Sequence, residues 1–416
     1  MKKSFIFSIT VLFILVLGLF SFFSLLANAQ DNSNHVSGQV VVKFKDGVSQ
    51  AEKDNLLRNN RARVVNKLDA IGVLVLQVPK TTEERTVAAL SKNPHIEYAE
   101  LDYLAEAFYV PNDYYFADNQ WGLENTGQTI KGVTGIVDAD IDAPTAWDTT
   151  QGGVKVAILD TGIDQDHEDL SDKIVDKVND QKNFTDSPTV DDLYGHGTHV
   201  SGIVAAITNN NIGVAGGCPN CVLMNGKVLN DSGSGAYSWI ANGIIWAADN
   251  GAKVINMSLG GSAPSKTLEN AVNYAWSKKY VVLVGAAGNS GNSSKTYPGA
   301  YTNVIAVAAT DNQDKKASFS EYGKWVDVAA PGVNIFSTFP NHPYKINKSL
   351  GYDFGSGTSM ATPMTSAVAA LIWSTPYGTS ASAVRTRLES TADKITGTGT
   401  YWSSGRVNAA NAVSSP

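Results

Sequence analysis

Val154-Lys-Val-Ala-Ile-Leu-Asp160-Thr-Gly-Ile-Asp164 is the stretch that decides the fold. Val156 to Leu159 are four apolar residues in a row, and a carboxylate follows directly. An acid in that position is unusual unless a partner holds it. A short, continuous apolar run predicts a strand covered on both faces. Outward from it the pattern alternates. Val222 to Leu229, Lys253 to Ser258, Val281 to Gly285 and Val304 to Ala309 read as further strands. His196 to Ile207, Ser238 to Asn250, Ser265 to Lys278 and Met360 to Ser374 read as helices. Alternation of this kind predicts an α/β fold, a mainly parallel sheet with helices on both faces. Functional residues then gather at the carboxyl ends of the strands, where Asp160 stands.

Upstream lies a smaller pattern. Val40 to Lys45, Arg63 to Leu68, Ile71 to Val78 and His95 to Glu100 read as strands, with helices at Gln50 to Asn59 and Thr82 to Ser91. The order β-α-β-β-α-β predicts a separate α+β, ferredoxin-like unit. Before it, Lys2 and Lys3 precede apolar Ser4 to Leu26, and Ala27-Asn-Ala29 closes the segment. A basic start, an apolar run and a small-x-small end mark an export signal. The run is also long enough to span a bilayer, so an uncleaved anchor is the alternative. No second run of that length occurs, which predicts no membrane association once the signal is removed. The expected division is a signal at 1–29, the small unit at 30–108 and the main domain at 109–416.

Of the 416 residues, 43% are hydrophobic, 17% are charged and 37 are glycine. That composition describes a packed, loop-rich globular chain. A net charge of -7 argues against a nucleic-acid binder. Cys218 and Cys221 frame a Cys-Pro-Asn-Cys loop. Two thiols cannot complete a zinc site, and in an exported chain they predict a disulfide.

The second informative stretch is Gly355-Ser-Gly-Thr-Ser-Met-Ala-Thr-Pro363. It sets Ser359 at the mouth of an apolar helix, where unpaired N–H groups suit an oxygen that becomes negative. A serine there is either a nucleophile or a helix cap. A nucleophile needs a base, and none of the six histidines follows Ser359. The serine–acid–histidine order of α/β-hydrolases is therefore excluded. His196 in Gly195-His-Gly-Thr-His-Val200 opens a helix, with glycines leaving room for substrate. His199, one turn on among Val200, Ile203 and Val204, reads as a packed core histidine, and His342 as a solvated one. A histidine base needs a carboxylate to orient it. Asp160 answers that need, since a second Asp-Thr-Gly for an aspartyl pair is missing. The candidate order is Asp160, His196, Ser359.

Val156-Ala-Ile-Leu-Asp-Thr-Gly-Ile-Asp164, Gly195-His-Gly-Thr-His-Val-Ser-Gly-Ile203 and Gly357-Thr-Ser-Met-Ala-Thr-Pro363 together resemble the triad blocks of the subtilisin-like serine proteases. Pro94-His-Ile-Glu-Tyr-Ala-Glu-Leu-Asp102 is similar to the end of their inhibitor-type propeptides. The resemblance implies a secreted, monomeric serine endopeptidase acting on proteins or peptides. It also implies self-processing near Ala107 to Pro111, with the propeptide as intramolecular inhibitor. It assigns an oxyanion amide to Asn289 in Gly285-Ala-Ala-Gly-Asn-Ser290, a residue that otherwise reads as part of a turn. It assigns substrate-binding edges to Ser258-Leu259-Gly260 and to Gly233-Ser234-Gly235, otherwise Gly-rich turns. It implies structural Ca2+ held by Asp169, the Asn210 side chain, carbonyls of Thr208, Ile212 and Val214, and Asp113. The bland reading of that Asn run is a polar turn. Asp186, Asp191 and Asp192 read as a solvated acidic loop rather than a second site. Met364 departs from the family, which often has histidine there, and reads as packed on the helix. The alternative function is a catalytically inactive binding protein on the same fold.

Overall fold

The computed structural model describes residues 35–104 and 110–415. The expected signal at 1–29, and residues 107–109 of the expected processing segment, lie outside them. The chain divides into two compact units, one up to residue 107 and one from 108 onward. In the N-terminal unit, strands His35–Phe44, Arg63–Leu68, Val73–Gln77 and Ile96–Tyr103 form one antiparallel sheet. Arg63–Leu68 lies at one edge, then Val73–Gln77, His35–Phe44 and Ile96–Tyr103. Helices Gln50–Asn59 and Glu83–Leu90 connect the strands. Ser49 starts the first helix with a capping box to Glu52. Val40, Val42, Leu76 and Leu90 are the centre of its own small core.

The second unit is built on a seven-stranded sheet. Its spatial order is Val328–Pro331, Ile305–Thr310, Val282–Ala286, Val254–Met257, Lys155–Asp160, Val222–Lys227 and Gln181–Asn183, every neighbouring pair parallel. Alternate residues of one strand serve two cores. Val156 and Ile158 face the core of helices His196–Ala205 and Thr358–Trp373. Ala157 and Leu159 face the core of helices Tyr237–Asp249 and Lys266–Lys279. With both faces covered, no polar alternation survives, which is why these strands read as continuous apolar runs.

From Lys155–Asp160 the chain passes to Gln181–Asn183 and then Val222–Lys227 on one side, and then to Val254–Met257 on the other. A crevice opens where the winding direction reverses. Asp160 ends the strand at that point.

The sequence reading differs from the fold in a few places. The edge strand Gln181–Asn183, the strand Val328–Pro331 and the antiparallel pair Ile335–Thr338 and Tyr352–Gly355 carried no assigned pattern. The first is polar and short, so neither period marks it. The last long helix begins at Thr358 with Gly357 as its cap. Ser359 therefore lies inside the first turn and is not the N-cap. Gly355 admits the His199 ring, which a Cβ there would meet at 2.9 Å, so its smallness serves packing. Cys218 and Cys221 form the disulfide that the sequence led us to expect.

Candidate active site

Asp160 is 1% exposed at the end of its strand. Its Oδ1 lies 2.7 Å from His196 Nδ1 and accepts the Thr161 N–H at 2.7 Å. His196 opens its helix behind Gly195, whose φ of 103° is left-handed. A Cβ on Gly197 would strike the Gly162 carbonyl and come within 3.1 Å of Asp160 Cβ. That glycine lets the helix start close on the strand end. The sequence reading gave its smallness to substrate, but it serves the approach of His196 to Asp160. Burial opposes charge on the His196 ring, yet the Asp160 charge and hydrogen bond outweigh it, with Asp192 adding to them. The ring's pKa consequently stands above its ordinary value.

His196, Ser359 and Asn289 line one cavity of about 250 Å³. The Ser359 hydroxyl donates to the Ser258 carbonyl at 3.2 Å, and the Ser258 hydroxyl donates to the Ser359 carbonyl at 2.8 Å. Ser258 is thus a brace for Ser359, a role that its reading as part of a substrate edge did not contain. Asn289 Oδ1 accepts from Thr358 N at 2.9 Å and Thr358 Oγ1 at 3.0 Å. With its oxygen engaged twice, the amide presents its N–H groups from its other end. The Ser359 N–H lies in the first helical turn, where the helix supplies no acceptor. Thr358, whose hydroxyl also accepts from Gly288 N at 3.1 Å, is a positioning residue that sequence reasoning missed.

Gly233, Ser234 and Gly235 face Ser258, Leu259 and Gly260 across a cleft of about 430 Å³ that His196 also lines. A Cβ on Gly235 would meet the Val228 carbonyl, and one on Gly260 would meet Thr296 Cγ2. The two edges are low because anything larger would collide beneath them.

Of the acidic loop beside His196, Asp186 is exposed as a solvated acid would be, but Asp192 is not. Asp192 is fully buried. Its Oδ1 accepts from Thr161 Oγ1 at 2.8 Å, Gly195 N at 2.7 Å and Tyr194 N at 3.2 Å. Its Oδ2 accepts from Thr198 N at 2.8 Å and Thr198 Oγ1 at 2.7 Å. One carboxylate therefore ties the residue after Asp160 to the first turn that carries His196. Asp186 is elsewhere, with Asn230. Asp191 lies 3.4 Å from His342 Nε2, so that histidine is half-covered beside a carboxylate rather than freely solvated. His199 is buried and hydrogen-bonded to the Ile335 carbonyl at 3.1 Å. Burial, then the charge of His196, pushes its pKa down to about 3, so it stays neutral. Met364 is buried in the core beside Gly122.

The expected cation ligands form a second cluster. Asp169 Oδ1 accepts from Asn210 Nδ2 at 2.6 Å, and its Oδ2 accepts from Val214 N at 2.9 Å and Tyr352 OH at 3.0 Å. Both oxygens of Asp113 accept the Asn209 N–H. Burial raises both carboxyls above their usual range. Two desolvated carboxylates are hard oxygen donors of the kind calcium takes. The Asn210 side-chain oxygen accepts from Ile212 N at 3.0 Å, so one side chain links the loop to Asp169.

Comparison with known proteins agrees with this architecture. Residues 151–409 match the Subtilase family, and residues 25–102 match the fervidolysin N-terminal prodomain. A thermophilic serine proteinase of Bacillus sp. (strain AK1) is 43% identical over 387 residues, 92% of this chain and 89% of that protein. Thermitase of Thermoactinomyces vulgaris is 50% identical over 307 residues, 73% of this chain and 99% of the relative. A solved protease structure from Pseudoalteromonas arctica PAMC 21717 superposes with a TM-score of 0.63 at 34% identity, covering 73% of this chain and 99% of that one.

Proposed function

The chain belongs to the subtilase family of serine proteases, and we propose that Asp160, His196 and Ser359 are its catalytic triad. The observation that carries this is the 2.7 Å contact of Asp160 with His196 Nδ1, at the rim that Ser359 and Asn289 share. Asp160 holds the ring so that Nε2 is the free base. Ser359 rotates from its bond with the Ser258 carbonyl, gives its proton to Nε2 and attacks the peptide carbonyl. The oxyanion is received by the Ser359 N–H and the Asn289 amide. His196 then protonates the leaving amine, and an acyl-enzyme remains. Water, deprotonated by the same ring, releases the second product. Loss of the Asn289 amide costs about 2.7–4 kcal/mol, a magnitude typical of this family's own donor rather than one worked from this geometry.

Substrate lies extended between the edges 233–235 and 258–260, whose backbone groups pair with it as an added strand. Calcium, held by Asp113, Asp169 and the carbonyls of Thr208, Ile212 and Val214, with Asn210 beside them, would serve as a structural staple and take no part in the chemistry. The chain is read as exported by residues 1–29 and active as a monomer. Residues 30–108 are read as a propeptide that assists folding and inhibits until cut. Among the described residues no helix is long and apolar enough to cross a membrane.

The test uses the full chain and its Ser359→Ala variant. The expected result is fluorophosphonate labelling and peptide hydrolysis by the parent and neither by the variant, whose precursor also fails to mature. Absence of labelling in the propeptide-free parent would favour the inactive binding protein.

A further inference from the structure

We propose that Glu321 sets the primary specificity of this chain by accepting a lysine or arginine side chain on the substrate residue whose carbonyl is attacked. The inference rests on the peptidase reading above and adds the substrate class to it.

A cavity of about 430 Å³ opens beside Ser359 and Asn289. Gly260 and Gly288 lie on its lining. A Cβ at Gly260 would collide with Thr296 Cγ2, and one at Gly288 would collide with Glu321 Oε2 and approach Thr296 Oγ1 to 2.7 Å. The two glycines therefore bound a slot that ends on Thr296 and Glu321. Glu321 is 3% exposed. Its Oε2 accepts from Thr296 Oγ1 at 2.7 Å. Its backbone N–H donates to Gly288 O at 2.9 Å, which fixes it to the residue before Asn289. Lys295 stands on the same lining, yet among the described residues no lysine or arginine forms an ion pair with Glu321.

A buried carboxylate is ordinarily matched by a cation. Among the described residues one hydroxyl is its only side-chain partner, and its open side is the slot. A substrate strand on the 258–260 edge turns one side chain into that slot. The apolar stem of a lysine or arginine suits Leu259 and Ala286 at the entrance. Its charged head meets the Thr296 hydroxyl and the Glu321 carboxylate, a charge-assisted pairing that a leucine cannot make and a glutamate would oppose.

The experiment compares the matured full-length enzyme with Glu321→Gln and Glu321→Ser on peptide anilides that differ only in the residue before the cut. The kcat/KM ratio of arginine to leucine substrates is expected to fall about 10- to 100-fold in both variants. The parent's digest of an unfolded protein is expected to be enriched in cuts after lysine and arginine. That second measurement needs no variant to fold. Ratios that move less than twofold in variants still labelled at Ser359, or parent cuts confined to apolar residues, would overturn the proposal while leaving the peptidase reading intact. A parent that neither labels nor cleaves any peptide would overturn both.

Discussion

Replacing Asp192 is the sharpest test of how this site is held. Its carboxylate collects five donors from three places: Thr161 behind Asp160, the Tyr194–Gly195 turn, and Thr198 in the helix of His196. In Asp192→Asn, an amide N–H2 replaces one oxygen. Placed where Oδ2 was, it confronts two donors, and only the Thr198 hydroxyl can turn to accept. One buried backbone N–H, that of Thr198, is left without an acceptor, at about 1–3 kcal/mol. In Asp192→Ala, three backbone N–H groups are orphaned, at about 3–9 kcal/mol. The larger figure is comparable with the whole stability of a domain, about 5–15 kcal/mol. The Asn variant is therefore the informative one. Measured by calorimetry in a Ser359→Ala background to prevent self-digestion, its Tm should fall by about 2–8 °C. In the Ser359 enzyme, a loosened first turn should reduce kcat by about 10- to 100-fold through misplacement of His196. A Tm within 1 °C or so of the parent, together with an unchanged kcat, would refute the reasoning.

Two further outcomes follow from the electrostatics. His196 titrates above its ordinary value because Asp160 outweighs the burial of the ring, and only the neutral ring is a base. Activity should climb as pH rises through that raised pKa. Asp160→Asn should move the climb to lower pH and cut kcat by about 10⁴-fold, read from pH–rate profiles. Burial raises the Asp113 and Asp169 carboxyls above 3.8 in the folded state. The cation-free fold then binds protons better than the unfolded chain, so it loses stability as pH rises from that value through the raised ones. Added calcium offsets the loss, so the Tm gain on adding it to chelator-stripped Ser359→Ala protein should be larger at neutral pH than at mildly acid pH, and a gain that shrinks toward neutrality would contradict this.

The division between what could be read early and what could not has a physical basis in particular residues. Lys155–Asp160, Val254–Met257, Val282–Ala286 and Ile305–Thr310 announce themselves because a strand covered on both faces must be apolar at nearly every position. Gln181–Asn183 does not, since it sits at the sheet edge with its side chains only partly covered. Asp160 and His196 were legible as chemistry because an acid behind an apolar run, and a glycine-flanked histidine at a helix start, are costly unless used. Asp192 resembled any loop acid, and its burial is paid for by donors drawn from both sides of it in the chain. Glu321 is equally silent within Phe319-Ser-Glu-Tyr322.

By itself, then, the chain's order of residues determined the layered α/β architecture, the small α+β unit before it and the residue types that converge on one rim. Those are consequences of local period and of polar groups set where solvent is excluded, and both are written along the chain. The tertiary structure alone decided that Gly197 serves the approach to Asp160, that Ser258 braces Ser359, that Asp192 ties two loops together, and that Glu321 closes a slot between two glycines. Each of these is a distance between segments tens to hundreds of residues apart. No local pattern encodes such distances; they exist only once the sheet has brought its strand ends together.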